Sequence, residues 1–253
     1  MNIYGLVGYG IGYSLSKKLH MAAISTLNRK NEIYETFDLP PYQVGEFLEH
    51  FEAMGGKGLN VTQPYKNLMA NLTGADLPAV NTLKLTENGW QGYSTDGVGL
   101  ANAMKKFLKP ATDFSNVLIL GNGGVIPALL DTFSSAEIQI LCRDPGKRQF
   151  GVSVEELTVS NLASHIDDAD LVIQATSAPV KGDDLGWLVD GLQGFEGTLV
   201  DLVYGQVSAL YHWAQQRRLP VMEGTPMLIE QARASQEIWW GESEQYDRLV
   251  SIL

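Results

Sequence analysis

The sequence predicts an α/β protein with two units, and three observations support this fold class. Short apolar runs alternate with helical patterns along the chain, and this alternation is typical of a largely parallel sheet. The alternation restarts after residue 97, which predicts a join between two units there. An apolar run at 116–124 ends in a cluster of glycines, as the first strand of a doubly wound sheet does. A length of 253 residues is sufficient for two small domains.

In the first unit, strand patterns and helix patterns follow one another from the start of the chain. Apolar runs predict strands at 3–8, 32–39 and 57–62. Apolar residues at helical spacing predict helices at 16–30 and 42–55. Because each helix pattern separates two strand patterns, we expect the strands to lie parallel to one another.

The second unit begins with a helix pattern at 97–109. Four apolar runs then predict strands at 116–124, 137–143, 171–176 and 198–204. The last helix pattern covers 227–241, and the residues predicted to share one of its faces are Met227, Leu228, Gln231, Ala234 and Ile238. Doubly wound sheets bind ligands at the carboxyl ends of their strands, so the residues that follow these strands are the candidate site residues.

The charge of the chain argues against two classes of partner. The formal net charge is −11, and both nucleic acids and anionic membranes attract positively charged proteins. A helix needs about 20 apolar residues to span a bilayer, and no apolar run in this sequence approaches that length. The first ten residues lack a basic segment followed by an apolar one, so we expect no signal peptide. These features predict a cytoplasmic protein that binds neither nucleic acid nor membrane.

Cysteine and histidine are few and scattered. Cys142 is the single cysteine, which excludes a disulfide within the chain. The histidines show no spacing typical of metal ligands and lie at His20, His50, His165 and His212. We therefore expect no metal site.

The stretch "VLILGNGGVIPALL" carries the clearest local motif. Glycines between a strand and a helix let backbone N–H groups approach a pyrophosphate, which the helix N-terminus also attracts. The full G-x-G-x-x-G pattern is not met, because Ile126 stands at the third glycine position. A tight turn without a ligand is the alternative. The predicted cofactor-binding residues of this turn are Gly121, Asn122, Gly123, Gly124 and Val125.

The next strand predicts which dinucleotide is bound. NAD sites usually carry a carboxylate at the tip of this strand, whereas a basic cluster suits the 2′-phosphate of NADP. Arg143, Lys147 and Arg148 form such a cluster, while Asp144 places a negative charge beside it. NADP is therefore the predicted cofactor and NAD the alternative. An exposed turn with ordinary surface charges is a further interpretation.

Seven motifs occur in the order found in one enzyme family. They are "GYGIGYSLSKKLHMAA" (8–23), "NVTQPYK" (60–66), "PAVNTL" (78–83), "GYSTDGVG" (92–99), "ATSAP" (175–179), "DLVYG" (201–205) and "GTPMLIEQA" (224–232). With the glycine turn, they cover nearly the whole chain. The chain resembles shikimate dehydrogenase and the related quinate/shikimate dehydrogenases.

This resemblance implies a domain organisation and a reaction. Residues 1–97 would form a substrate-binding domain with an open mixed sheet, completed by the C-terminal helix region 224–253. Residues 98–223 would form an NADP-binding Rossmann domain. The implied reaction interconverts 3-dehydroshikimate and shikimate by hydride transfer, in the pathway to aromatic amino acids. The implied partner is a cyclic hydroxy carboxylic acid, and the protein is expected to be a monomer or a homodimer.

The resemblance assigns Lys66 and Asp96 as the catalytic pair. Reduction of a ketone by hydride places negative charge on its oxygen, which then needs a nearby proton donor. A protonated lysine can supply that proton, and a carboxylate beside it holds the ammonium group in place. Without the other motifs, Lys66 would be interpreted as a solvated surface cation.

Other roles are also implied by matching motifs. Ser14 and Ser16 would bind the substrate carboxylate, although Ser16 could instead cap a helix that begins at Lys17. The residues expected to bind the substrate ring and its hydroxyls are Asn60, Thr62, Asn81, Tyr204 and Gln231. Those expected to line the cofactor pocket are Thr176, Gly224 and Met227. For the amides and hydroxyls the alternative role is bonding to the backbone, and for Tyr204 and Met227 it is core packing.

The chain departs from the family pattern mainly around the substrate. The departures are Tyr13, Lys17, Met21, Tyr65, Gln206 and Pro226. Because Lys66 and Asp96 are intact, we expect the redox chemistry to be retained. A further hypothesis is that Lys17 and Lys18 guide an anionic substrate past the negative net charge.

Three other functions stay open at this point. The first is an enzyme that prefers quinate or another cyclic hydroxy acid. The second is a cofactor-binding protein without turnover, acting as a sensor. The third is a methylenetetrahydrofolate dehydrogenase, which the "STDG" motif argues against.

Overall fold

The computed structural model describes residues 1–108, 114–147 and 150–253. The chain divides into two compact units. Unit 1 consists of Met1–Gly99 and Ile229–Leu253, and unit 2 consists of Leu100–Leu228. Arg148, part of the predicted basic cluster, lies outside the described residues.

The secondary structure alternates as the apolar runs predict. In chain order, the first elements are β1 (Asn2–Gly8), α1 (Ser16–Thr26), β2 (Glu32–Asp38), α2 (Phe47–Ala53), β3 (Gly56–Val61), α3 (Lys66–Leu72), β4 (Thr82–Thr86), β5 (Gly89–Tyr93) and α4 (Asp96–Phe107). The later elements are β6 (Asn116–Leu120), α5 (Ile126–Thr132), β7 (Glu137–Cys142), β8 (Ser153–Glu156), α6 (Val159–His165), β9 (Leu171–Gln174), β10 (Thr198–Asp201), α7 (Ala209–Gln216), β11 (Val221–Met222), α8 (Gly224–Trp240) and α9 (Tyr246–Val250).

The sheet of unit 1 is mixed, with the strand order β2-β1-β3-β4-β5. Strand β1 pairs in parallel with β2 and β3, whereas β4 is antiparallel to both β3 and β5. The prediction of a largely parallel sheet was therefore wrong for β4 and β5, which had not been recognised as strands. The two form a hairpin across Glu87 and Asn88, with Gly89 at a φ of +92°. The mixed sheet implied by the family resemblance is confirmed.

Two predicted helices of unit 1 are shorter than expected. Helix α1 ends at Thr26 instead of residue 30, because Asn28 adopts a left-handed φ of 56° that no helix can continue. The predicted helix at 42–55 is a 3₁₀ turn at Pro41–Gln43 followed by the short α2.

The sheet of unit 2 is wholly parallel, with the order β11-β10-β9-β6-β7-β8. Numbered from its own first strand, this is the 3-2-1-4-5-6 order of a Rossmann fold, seen from the opposite side. The order reverses between β6 and β9, and the glycine turn at Gly121 follows β6 at this switch point. The doubly wound prediction for this unit is confirmed.

Both faces of each sheet are covered by apolar side chains. In unit 1, one face packs around Phe51 and Leu59, while the other packs around Tyr4, Tyr34 and Trp239. In unit 2, the two clusters share their strands and differ in their helices, as a doubly wound sheet requires. Within the described ranges, no helix combines the length and apolarity needed to cross a membrane.

Helix α8 buries only part of the predicted face, since Met227 and Leu228 are each 8% exposed. Of the five residues expected on one face, Gln231, Ala234 and Ile238 are only half-buried. The fully covered residues of its second half are Ala232, Ser235, Gln236 and Trp239. The buried stripe therefore includes polar side chains, which an apolar pattern does not reveal.

Candidate active site

Lys66 is a buried residue and not a solvated loop cation. It is the first residue of α3 and is 9% exposed. Its Nζ donates a hydrogen bond to Oδ2 of Asp96, which is the first residue of α4 and is also 9% exposed. The two charges neutralise each other in a setting that shields them from water, so the surface interpretation of Lys66 is wrong.

Asn81 holds the Asp96 carboxylate in a fixed orientation. Its Nδ2 donates to Oδ1 of Asp96 at 2.8 Å and to Oγ1 of Thr95 at 2.9 Å. Its Oδ1 accepts the backbone N–H of Thr95 at 2.6 Å. Asp96 therefore presents one oxygen to Lys66 and the other to Asn81. Asn81 was predicted to bind a substrate hydroxyl. Its side-chain amide would have to do so while it also bonds to Thr95 and Asp96.

A buried cluster of hydroxyls lies behind this pair. Oγ of Ser235 in α8 is 2.8 Å from Oγ1 of Thr82 and 3.4 Å from Oγ1 of Thr95. The two threonine oxygens are 3.3 Å apart, and all three residues are at most 1% exposed. The cluster connects α8 to the residue preceding Asp96. Thr82 and Thr95 lie inside quoted motifs, but no sequence signal marks Ser235, because its partners are distant in the chain.

The amide of Asn60 is already used within the protein. Nδ2 donates to Ser235 at 3.0 Å and to Thr82 at 3.1 Å, and Oδ1 accepts from the Tyr34 hydroxyl at 2.8 Å. Asn60 is 5% exposed. These contacts support the alternative in which its amide serves neighbouring protein groups, and a direct substrate contact stays a prediction.

Ser14 and Ser16 lie next to each other, but not as expected. Helix α1 begins at Ser16, not at Lys17, and Leu15 between the serines has helical backbone angles. Ser14 Oγ donates to Ser16 Oγ at 3.2 Å and accepts the Ser16 backbone N–H at 3.3 Å. The capping role proposed for Ser16 is therefore wrong, since Ser14 accepts the N–H of the first helical residue. Binding of a carboxylate by the two hydroxyls stays a prediction.

The lysines of the first motif have protein partners. Lys17 Nζ lies 2.6 Å from Oε2 of Glu35, and both side chains are about half exposed. Lys18 Nζ donates to the Leu253 carbonyl oxygen at 3.4 Å. Lys17 is therefore not the uncompensated cation that the guiding hypothesis requires, and a guiding role for Lys18 stays a prediction.

The last two candidates in unit 1 lie on separate elements. Thr62 is half-buried immediately after β3, and its backbone N–H donates to the Val7 carbonyl oxygen at 2.9 Å. Gln231 is half-buried in α8, where a methyl group added at Gly99 would lie 2.7 Å from its backbone nitrogen. Their side-chain roles stay predictions.

His20 is a fully buried histidine that the sequence reasoning assigned no role. Its ring stacks on Tyr34 with centroids 4.5 Å apart, and Nδ1 lies 3.5 Å from Nε2 of Gln236. Burial lowers the pKa of His20 from 6.5 to about 3, an effect that the neighbouring Asn60 amide partly opposes. The imidazole is therefore neutral in the folded protein throughout the physiological range.

This neutrality predicts a pH-dependent stability. Below pH 6.5 the unfolded chain protonates His20 while the folded chain does not, so the free energy of unfolding falls as the pH falls toward 3. The expected loss from this residue between pH 7 and pH 5 is about 2 kcal/mol. Urea unfolding should be measured at both pH values. In His20→Gln, the fall in unfolding free energy from pH 7 to pH 5 should be smaller than in the wild-type protein by this amount. The control is His50→Gln, at an exposed histidine, which should show the same fall in unfolding free energy as the wild-type protein. An equal fall in all three proteins would contradict the prediction.

The glycine turn of unit 2 has the geometry of a dinucleotide site. Gly121 has a φ of +116°, and a methyl group added there would lie 3.0 Å from Thr176 Cγ2 and 3.1 Å from the Ala175 carbonyl carbon. Val125, the residue before helix α5, makes no side-chain cap to that helix. Glycine backbone before a helix N-terminus suits a pyrophosphate, so these residues fit the predicted cofactor.

The adjacent strand brings the basic residues to the same edge of the sheet. Arg143 and Lys147 are exposed after β7, which is the parallel neighbour of β6. Nδ2 of Asn122 donates to the backbone carbonyl oxygen of Asp144 at 3.2 Å, and this bond joins the two turns. The arrangement fits a 2′-phosphate beside the glycine turn.

The remaining cofactor candidates and the substrate candidate Tyr204 lie near the carboxyl ends of β9, β10 and β11. Thr176 and Tyr204 are half-buried, while Met227 is 8% exposed and packs in the core of unit 2. Gly224 begins α8, where an added methyl group would lie 2.4 Å from the Leu202 carbonyl oxygen. Gly224 is therefore required for packing, and Met227 fulfils the core role that was its alternative. In the part of the chain that the structure describes, no cluster of His, Cys, Asp or Glu could hold a metal ion.

Unit 2 has a Rossmann sheet with a glycine turn at Gly121, and unit 1 holds a buried lysine–carboxylate pair. These features are typical of two-domain dehydrogenases that use a dinucleotide cofactor. The model of the shikimate dehydrogenase substrate binding domain matches residues 6–83. The shikimate dehydrogenase (NADP(+)) of Pyrococcus abyssi is 33% identical, over 95% of this chain and 93% of the relative. The chain belongs to the shikimate dehydrogenase family.

Further relatives cover both units. The shikimate dehydrogenase (NADP(+)) of Bacillus licheniformis is 29% identical over 99% of this chain and 96% of its own length. The crystal structure of the Aquifex aeolicus shikimate dehydrogenase superposes with a TM-score of 0.87 at 26% identity, covering 100% of this chain and 97% of that one. A shikimate dehydrogenase solved in complex with NADP+ gives a TM-score of 0.84 at 25% identity, covering 100% and 94%.

Proposed function

We propose that this protein is an NADP-dependent shikimate dehydrogenase that interconverts 3-dehydroshikimate and shikimate. The buried Lys66–Asp96 pair is the observation that carries the proposal. The names of the relatives support the substrate and the cofactor. NADP, when bound, supplies or accepts the hydride.

In this proposal Lys66 handles the proton. During ketone reduction the Lys66 ammonium donates a proton to the substrate oxygen, and during oxidation the neutral amine accepts the hydroxyl proton. Asp96 balances the ammonium charge and fixes its position. Asn81 acts behind Asp96, since it holds the carboxylate oxygen that does not face Lys66.

The substrate is held by the remaining candidates of unit 1. Ser14 and Ser16 receive the carboxylate, and Thr62 and Gln231 bind ring hydroxyls. The direct role first predicted for Asn60 is less well supported, because its amide orders Thr82 and Ser235. Neutral donors and acceptors of this kind discriminate strongly between substrates, because a missing hydroxyl leaves buried groups unpaired.

The turn from Gly121 to Val125 would hold the pyrophosphate, and Arg143 and Lys147 would hold the 2′-phosphate. Thr176 would line the nicotinamide pocket, and Tyr204 would contact the substrate ring. The cytoplasmic location and the monomeric or homodimeric state stay predictions.

The test is steady-state reduction of the nicotinamide with shikimate and with quinate, each with NADP+ and with NAD+. Turnover of shikimate with NADP+ is the expected result. Turnover with quinate alone would keep the chemistry and change the substrate. A folded protein that binds NADP+ and turns over neither acid would instead support the sensor function.

Arg143 is expected to determine the preference between the two cofactors. Arg143→Ala should lower kcat/KM for NADP+ by about 10- to 100-fold, because a charge-assisted hydrogen bond to a phosphate is lost. The value for NAD+ should change by less than about twofold, since NAD+ has no phosphate at this position. The control is Lys181→Ala, which removes another exposed cation of unit 2. Equal losses with both cofactors would show that Arg143 does not read the 2′-phosphate.

A further inference from the structure

Asp201 is a fully buried carboxylate that the proposed proton transfer does not use. It is the last residue of β10 and lies directly opposite Gln174, the last residue of the parallel strand β9. Both residues are 0% exposed. Asp201 is the first residue of the "DLVYG" motif, in which only Tyr204 is predicted to have a role.

The carboxylate of Asp201 organises the segment that follows β10. Oδ1 accepts the backbone N–H of Val203 at 3.0 Å, and Oδ2 accepts the backbone N–H of Ser208 at 2.7 Å. The chain between these two donors is therefore folded around the carboxylate. Tyr204 lies in this segment.

Gln174 connects the same carboxylate to the segment after β9. Its Nε2 donates to Oδ1 of Asp201 at 3.1 Å, and its Oε1 accepts the backbone N–H of Thr176. Its own carbonyl oxygen accepts the Leu202 N–H at 2.9 Å. One amide thus links the backbone of Thr176 to Asp201.

Burial of the Asp201 carboxylate has a free-energy cost that its hydrogen-bond partners must offset. A buried carboxylate destabilises the folded state unless donors satisfy it. Among the described residues, the partners of Asp201 are N–H groups and not a lysine or arginine. A neutral residue would serve a purely structural turn with less penalty, so the charge indicates a need for exact backbone placement.

We propose that Asp201 is a positioning residue for the nicotinamide half of the cofactor site. Through Gln174 it fixes the backbone at Thr176, and through its own acceptors it fixes the segment that carries Tyr204. This inference rests on the proposed function, in which Thr176 lines the nicotinamide pocket and Tyr204 contacts the substrate ring beside it. Misplacement of reacting groups by about 1 Å is sufficient to lower a rate by about 100-fold.

Four variants test the link. Asp201→Asn places an amide where a carboxylate oxygen accepted N–H groups, and Gln174→Glu brings two carboxylates together. The double variant Gln174→Glu/Asp201→Asn restores a hydrogen bond between positions 174 and 201 with reversed polarity. Gln174→Met removes the link to Thr176 and leaves the other acceptor contacts of Asp201, which makes it the mildest change. The control is Asp170→Asn, whose carboxylate accepts the N–H groups of Ser115 and Asn116 at the start of β6.

Two binding measurements give a readout that a merely structural role would not change. Calorimetry with NADP+ and with adenosine 2′,5′-bisphosphate, which lacks the nicotinamide half, gives two dissociation constants. The ratio of the Kd for the bisphosphate to the Kd for NADP+ measures how much the nicotinamide half contributes to binding, and it does not depend on turnover. In Gln174→Met and Asp201→Asn, we expect the Kd for the bisphosphate to stay within about twofold of wild type, while kcat falls by about 10- to 100-fold and the ratio moves toward 1.

The double variant should recover about tenfold of the kcat lost in Gln174→Glu, and Asp170→Asn should behave as wild type. A wild-type kcat and an unchanged ratio in Gln174→Met and Asp201→Asn would overturn the inference. So would a parallel loss of affinity for both ligands, which indicates a role in folding of the whole unit. Absence of turnover in the wild-type protein would contradict the proposed function instead, and the ratio of the two constants would still decide the role of Asp201.

Discussion

Replacing Lys66 by alanine is expected to lower kcat by about 10²- to 10⁴-fold, the contribution of a positioned proton donor. The KM for the substrate should change much less, because the loss concerns the transition state. Asp96→Asn should also lower kcat, since the ammonium group loses its counter-charge and its orientation. Initial rates with shikimate and NADP+ measure both effects.

The control for this prediction is Lys57→Ala, because Lys57 is an exposed lysine of β3 in the same unit. Its kcat should equal that of the wild-type protein. A Lys66→Ala variant that is folded and retains more than about a tenth of the wild-type kcat would show that another group transfers the proton. The double variant Lys66→Ala/Asp96→Asn should be little worse than Lys66→Ala, since the two side chains act as one unit.

Replacing Gly224 by alanine is expected to destabilise unit 2 severely. The added methyl group would lie 2.4 Å from the Leu202 carbonyl oxygen, 2.6 Å from the Leu202 carbonyl carbon and 2.7 Å from that of Val203. These are backbone atoms at the end of β10, so a rotamer change cannot relieve the clash. The free energy of unfolding should fall by about 3 kcal/mol or more, and Tm by roughly 10 °C.

The matched control is Gly146→Ala, whose added methyl group would meet, among the described residues, only Asp144 Oδ1, at 3.8 Å. Differential scanning calorimetry of the two variants should show a large fall in Tm for Gly224→Ala alone. If Gly224→Ala keeps the wild-type Tm and loses only affinity for NADP+, the glycine serves the approach of the cofactor and not the packing of α8 against β10.

Sequence reasoning predicted unit 2 better than unit 1, for a physical reason. Strands buried on both faces are continuous apolar runs, as at "VLIL" and "LVI", and such runs are easily recognised. In β4 and β5 most side chains are half-buried, so the alternation was weak and the hairpin was not recognised. The antiparallel part of the first sheet could be expected only from the family resemblance.

The site residues divide in a similar way. Glycine turns and residues after strands have local signals, which is why Gly121 and Arg143 could be selected from the residues alone. Lys66 and Asp96 are 30 positions apart, and the fold brings them together through the ends of α3 and α4. The contacts of Ser235 and Asp201 depend on packing between distant segments, and no local pattern encodes them.

The division of the chain between the units has a consequence for biosynthesis. Residues 229–253 belong to unit 1, yet the ribosome makes them after all of unit 2. Until then Tyr4, Tyr34 and His20 lack Trp239, whose indole N–H also donates to the Leu83 carbonyl oxygen at 2.9 Å. The half of the protein that is translated first is therefore the half that completes its core last. During that interval its aromatic surface is exposed to aggregation and to chaperones.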